Sequence, residues 1–525
     1  MRFALAIIIC LWIGGAAAAE ESGGWILAGH DALDRRDLAL ATDAMDALDR
    51  LGDDGGDAML FRARYQLYVG DHSAAREAID AVPPTVPDGG LRSTIEAGHR
   101  WMGDPREVRS PHFLLRHAPG VDELWAELAL DVLEAAHDHV GQDLGWFPDE
   151  PVLVEVYPTS AAFAAATGLP PEAVANDTVG LYRWNRLLVT SPMAAAFGYP
   201  WADTLCHEYT HLVVDQRGGI QVPVWLHEGI ASFEQRRWRG LDEGALPATR
   251  RALLATAVEA DELVTFEEIG NCLACLQTPE RVQLAFVQVH TLVDHLVRAR
   301  GIEALRQALD SCRHGADAEH ALATAWGGSF EEYVASWRAT IDDPAGDDLA
   351  AAGVVGLGLD AARDADAPVD DDVLAGQPRG AAHARLGDLL AAREQPRAAL
   401  LEYGRAGRHL EQVSPSLACK RAAVLFDLGL AGKALEEMRF ARELYPDFEP
   451  LLVNSARAQI QLGRDDDALS TLAEAELINP FDPRIHAWRL DLLQEGTAAH
   501  DAAGAALSAL TDHMFYDGTE PGMAR

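Results

Sequence analysis

Four residues recur at one fixed distance near the C-terminal end of the chain. Gly429, Ala434, Ala441 and Pro446 return 34 residues later as Gly463, Ala468, Ala475 and Pro480. A unit of that length holds two helices, with small residues where the pair crosses and Pro closing the second helix. One such unit cannot bury its own apolar face, so units stack. Gly387, Ala399 and Ala406 fit an earlier copy one residue out of step, and Pro483 to about Leu510 fits a degenerate last unit or cap. The spacing predicts a C-terminal α-solenoid.

The N-terminal part is also helical in pattern. Residues 58–68 and 74–82 flank Gly70-Asp71 as in a helical hairpin, and Pro83-Pro84 ends the second helix. Near Arg109 the texture changes. Residues 113–117 and 152–157 read as strands, with a long helix between them from about Val121 to Val140. Residues 179–182 and 187–190 pair as a hairpin across 183–186, and helices follow to about Ile341. Strands first and helices after predict an α+β domain. The expected division is a leader at 1–19, a helical region at 20–107, the α+β domain at 108–342, an acidic linker at 343–378, repeats at 379–515 and a tail at 516–525.

Composition narrows the class. The chain has 525 residues, room for roughly three domains, and its 49% hydrophobic and 24% charged residues are those of a globular protein. A net charge of −39 argues against nucleic acid or an anionic membrane as partner, since both reward clustered Lys and Arg. Arg2, the apolar run 3–13 and Ala17-Ala18-Ala19 form an export signal with Glu20 starting the mature chain. The expectation is a bacterial periplasmic or secreted protein with no stable membrane insertion after cleavage. Five cysteines then remain: Cys206, Cys272, Cys275, Cys312 and Cys419. The odd number leaves at least one without an internal disulfide partner. Cys272 and Cys275 form a lone CxxC, which suits a local disulfide or two thiols better than a zinc ribbon.

The chemistry concentrates at His207-Glu208-Tyr209-Thr210-His211. On a helix the two histidines lie one turn apart on one face and converge on one zinc ion, with Glu208 placed as general base. A catalytic zinc takes three protein ligands. Glu228 is the favoured third, 17 residues after His211 at the opening of a following helix, because it completes a His₂Glu site; His227 competes. Val214 and Arg217 stand where a metzincin needs Gly and His, which excludes that class.

His207–His211 followed by Pro223-Val224-Trp225-Leu226-His227-Glu228-Gly229-Ile230-Ala231 resembles the gluzincin (MA-type) metallopeptidases. Looser similarity runs over residues 108–342, from Ser110–Phe113 through Val156–Thr159 and Ala285–Gln288 to Trp326–Glu332. The 34-residue units resemble tetratricopeptide repeats. The resemblance implies a zincin-like catalytic domain, a small mixed sheet plus active-site helices, flanked by helical repeat regions. It implies Zn²⁺ on His207, His211 and Glu228, with Glu208 activating the water that attacks a peptide bond. It also implies an oxyanion donor, for which His290 comes first and Tyr182 second. Residues 179–182 or 187–190 would offer an edge strand to an extended peptide or protein substrate. Thermolysin-like enzymes hold the first histidine with an Asp four residues past the third ligand. Ser232 stands there, so support is expected from Asp203 or Glu234. The alternative is a zinc-binding, inactive scaffold whose repeats bind a protein partner.

Overall fold

The structure is a computed structural model that describes residues 20–169, 178–240, 246, 248–270, 272, 273, 276–341, 374, 376–410 and 412–515. The expected leader, nearly all of the linker, Cys275 and the tail lie outside the described residues. In chain order come α1 (20–34), α2 (Leu38–Leu51), α3 (Gly56–Tyr68), α4 (His72–Ala81) and α5 (Leu91–Met102). Then follow β1 (Arg106–Arg109), β2 (Phe113–His117), α6 (Glu123–Leu144), β3 (Val152–Tyr157), α7 (Ser160–Thr167), β4 (Gly180–Arg183) and β5 (Arg186–Thr190). The chain divides into two compact units, the first made of Met1–Pro119, Pro148–Val174 and Val179–Thr190, the second of Gly120–Phe147, Ala175–Thr178 and Ser191–Arg525.

The first unit carries the N-terminal helices and one sheet. Its order is β1-β2-β3-β5-β4. The outer pairs are antiparallel and the two inner pairs parallel, so the sheet is mixed. β4 and β5 are joined by Trp184 and Asn185, both at positive φ (54° and 55°), as a two-residue hairpin turn with right-handed twist requires. β4 is an edge strand. β5, expected as an alternative edge, is paired on both sides and cannot receive another strand. Trp184 sits under the guanidinium groups of Arg183 and Arg186, 4.6 and 5.1 Å from its ring, and packs against the helices' core around Phe61 and Tyr68.

A buried polar network ties the N-terminal helices to the sheet. Glu155 of β3 accepts from the Tyr157 hydroxyl at 2.9 Å and pairs with His72 of α4 at 2.7 Å and Arg186 of β5 at 3.2 Å. The Arg186 guanidinium also donates to the backbone carbonyl of Leu67 at the end of α3.

The second unit continues with α8 (Trp201–Gly218), α9 (Val224–Glu234), α10 (Ala248–Glu259), α11 (Phe266–Ile269), α12 (Pro279–Arg300), α13 (Ile302–Arg313), α14 (Ala318–Trp326) and α15 (Phe330–Arg338). The repeats are α16 (Pro378–Ala391), α17 (Pro396–Gly407), α18 (Pro415–Asp427), α19 (Ala431–Leu444), α20 (Glu449–Gln461) and α21 (Asp465–Glu476), followed by α22 (Pro483–Leu492) and α23 (Ala498–Phe515). The pairs α18–α19 and α20–α21 begin 34 residues apart, at Pro415 and Glu449 and at Ala431 and Asp465. Gly429 and Gly463 turn each pair at φ 70° and 69°. In the preceding pair that turn position is Glu394, at φ 57°. Gly387 lies within α16 instead, where a Cβ would meet the Tyr403 ring at 2.3 Å. It is a helix-crossing glycine, which corrects the expected alignment.

The repeats meet the loop before α8. The Tyr199 amide donates to the Ile478 carbonyl at 3.0 Å, and the Trp201 indole donates to the Glu476 carbonyl at 3.0 Å. Phe197 packs edge-on against Phe448, 5.0 Å between ring centres. Among the described residues no helix is long and apolar enough to cross a membrane.

Candidate metal centre

α8 starts directly after Pro200 and is buried on most of its circumference, from Trp201 and Leu205 to Val213 and Val214. The Trp201 ring meets Trp125 of α6 edge-on at 5.3 Å, which fixes its first turn. Polar side chains inside such a wall require partners. α9 begins at Val224 after Pro223, earlier than the expected opening at Glu228. Proline's extended ψ of 158° marks the last non-helical position, so Glu228 falls in the second turn rather than at the opening. Gly229 brings this helix close to α12, since a Cβ there would lie 2.8 Å from the Val289 carbonyl.

Three ligand atoms converge. His207 Nε2 lies 3.1 Å from His211 Nε2 and 3.2 Å from Glu228 Oε2, and His211 Nε2 lies 3.7 Å from the same oxygen. Tetrahedral ligands about 2.05 Å from a zinc ion stand about 3.3 Å apart. The triangle has that size. Two facing imidazole nitrogens share at most one proton, so the arrangement calls for a cation. Charge agrees. Burial disfavours the His207 imidazolium, yet the Glu228 carboxylate, with Glu208 and Gln235, outweighs it and holds the pKa above its ordinary value. Burial pushes the Glu228 carboxyl up, but His211 and His207 more than offset this and hold it low. His207, His211 and Glu228 therefore fit a divalent metal, and zinc by their N₂O donor set.

The remaining expected residues are placed as follows. Glu208 is buried on α8 and lies close enough to His207 to act on its charge. His227 stands beside His211, 5.6 Å between ring centres, outside the ligand triangle. His290 of α12 is buried, and its Nδ1 lies 3.0 Å from the Ser232 carbonyl on α9. A neutral imidazole has one N–H, and this bond uses it. Tyr182 is on edge strand β4 in the sheet-bearing unit, with the Arg36 guanidinium 5.7 Å over its ring.

The two acidic residues expected to support His207 are engaged elsewhere. Asp203 pairs with Arg239 and, at 3.5 Å, with Arg236. Glu234 pairs with His139 at 3.2 Å and Arg237 at 3.4 Å, and Arg237 also holds Asp143 at 2.9 Å. His139, Asp143 and Glu234 could group around a metal, but the guanidinium already sits on both carboxylates. His207 Nδ1 instead faces Gln235 Oε1 at 3.3 Å. The sequence held a signal for this contact. Gln235 is seven residues, two helical turns, past Glu228 and so on the same face.

Comparison with known proteins agrees with this architecture. Residues 135–343 match the Peptidase MA superfamily, and residues 425–490 match the tetratricopeptide repeat. No curated protein matches the chain. Among solved structures, native yeast LTA4 hydrolase is similar at 13% identity and a TM-score of 0.30, over 77% of this chain and 67% of that one. The yeast enzyme in complex with Bestatin is similar at 12% identity and a TM-score of 0.28, over 78% of this chain and 65% of that one. The chain thus spans about two thirds of these proteins. The triangle of His207, His211 and Glu228 lies inside the matched family segment, and the chain carries a Peptidase MA superfamily domain followed by tetratricopeptide repeats.

Proposed function

We propose that this chain is an exported zinc metallopeptidase of gluzincin type, with 108–342 as its catalytic domain. His207, His211 and Glu228 hold the metal, and Glu208 is the general base. The observation that carries this is the convergence of two imidazole nitrogens and one carboxylate oxygen at 3.1, 3.2 and 3.7 Å inside a Peptidase MA domain. Zinc at such a site supplies Lewis acidity, which polarises a peptide carbonyl and makes water acidic near neutral pH. Glu208, one residue past the first ligand, accepts the proton of the attacking water and returns it to the leaving amine.

His290 and Tyr182 are the proposed oxyanion donors. Removing a true oxyanion donor lowers kcat by about 10²–10³ with little change in KM. Edge strand β4 is the surface proposed for an extended peptide. The repeats are proposed to hold a protein partner on the surface their contact with the 197–201 loop leaves open. Export is supported by the signal pattern at 1–19 and is tested by the N-terminal mass of the mature protein, expected to begin at Glu20.

The deciding experiment compares wild type with Glu208→Gln on a peptide library, with zinc content measured in both. The expected outcome is equal zinc and a loss of turnover of about 10²–10⁴-fold in the variant. Equal inertness of both proteins overturns the enzyme and leaves the zinc-binding scaffold.

A further inference from the structure

A metal-binding histidine usually donates its second ring N–H to a partner that fixes its tautomer and orientation. The position that serves thermolysin-like enzymes here holds Ser232, whose carbonyl is occupied by His290. Yet His207 is not left to rotate. Its Nε2 faces His211 and Glu228, so in the ligating tautomer the proton is on Nδ1, and that atom lies 3.3 Å from the Gln235 side-chain oxygen. We propose that Gln235 is the positioning residue of the metal centre, a neutral acceptor that holds the His207 ring in its metal-binding tautomer. This rests on the proposed zinc site and adds to it a residue that does not touch the metal.

Several contacts hold Gln235 in place. It caps α9, its backbone N–H donating to the Ala231 carbonyl. Its neighbour Glu234 is fully buried and fastened to α6 through His139 and through Arg237, which also grips Asp143. The Cys206 thiol, next to His207 on α8, lies 3.5 Å from the Glu234 carbonyl. The end of α9 is thus tied to α8, which carries the first ligand, and to α6. The Gln235 side chain is only half-buried, so replacing it need not disturb the fold. The choice of an amide over a carboxylate has a chemical consequence. An amide oxygen accepts the Nδ1 proton without adding charge, so the centre keeps one carboxylate among its ligands and gains none behind them.

The test is zinc affinity, measured by competition against a chromogenic chelator, in wild type, Gln235→Leu, Gln235→Glu and His211→Ala. The metal-free melting temperature is recorded for each. The expected result is a 10–100-fold weaker site in Gln235→Leu, wild-type or tighter binding in Gln235→Glu, and near-complete loss in His211→Ala. Rescue by the carboxylate distinguishes a hydrogen-bond acceptor from mere packing. Two results overturn the inference separately from the zinc site. One is wild-type affinity in Gln235→Leu while His211→Ala loses zinc. The other is equal weakening in Gln235→Leu and Gln235→Glu. If wild type binds no zinc, the metal centre and the positioning role fall together.

Discussion

At the scale of single residues, the local pattern and the distant one differ in what a sequence can tell. His207 and His211 share a helix face because four residues make about one turn, and nothing outside the helix is needed to see it. The choice between His227 and Glu228 is different. Neighbours on a helix point about 100° apart, so the outcome depends on where the helix starts and how it lies against α8. The structure starts α9 at Val224 and brings Glu228 Oε2 to both histidines, with the His227 ring tilted against His211 outside the triangle. Glu228→Ala is therefore expected to weaken zinc binding by at least about 100-fold, more than a supporting residue would. His227→Ala is expected to leave binding within about threefold of wild type, below the range of a supporting residue. Equilibrium dialysis against a zinc buffer separates them, and a reversed order would make His227 the ligand. The acidic support expected for His207 is absent because Asp203 is taken by Arg239 and Glu234 by His139 and Arg237, while Gln235 was legible only from its place two turns past Glu228.

At the scale of elements, the repeats were the most legible part. Their period follows from helix length plus turn length, and the structure reproduces it in the starts of α18 to α21. The exception is Glu394, a non-glycine residue in the left-handed conformation at a turn where glycine was the signal. The joint between the repeats and the loop before α8 was not legible, since it depends on two backbone carbonyls, those of Glu476 and Ile478. It nevertheless makes a sharp demand on Gly198. That residue has φ +67°, and a Cβ there would lie 2.0 Å from the Ile478 carbonyl. Gly198→Ala should cost about 1–3 kcal/mol through the left-handed backbone and the forced shift of the repeat. Gly432→Ala is the matched control. It lies in the first turn of α19 with no atom within 4 Å of the new methyl, so it should be neutral or stabilise by up to about 1 kcal/mol. Urea unfolding of both variants measures the contrast. Similar costs at the two sites would mean the joint contributes nothing to stability.

At the scale of the whole molecule, acid is the revealing variable, because a chain with net charge −39 loses much of its carboxylate charge as pH falls. Glu155 is the group whose titration bears most directly on the fold. It sits in an otherwise apolar strand, where alternation could not say that both faces are covered, and it is fully buried between α4 and β5. Burial pushes its carboxyl up, but Arg186 and His72 outweigh this and hold the pKa at about 2, against an ordinary 4.5. A carboxyl depressed on folding contributes stability that is full above the unfolded value and lost as pH falls through the folded one. The contribution, on the order of 3 kcal/mol, should therefore be intact at pH 6 and disappear between about pH 4.5 and pH 2. Glu155→Gln keeps the shape and removes the charge, leaving Arg186 buried without its partner. It should cost about 3–5 kcal/mol at neutral pH and flatten the acid dependence. Hydrogen exchange of residues 66–72 and 152–157, followed from pH 6 downward with correction for intrinsic rates, reads the network directly. Wild type should lose protection in both segments together as the carboxyl protonates, while the variant should show low protection throughout. An unchanged acid profile in the variant would mean that other carboxylates govern the acid limit of this unit.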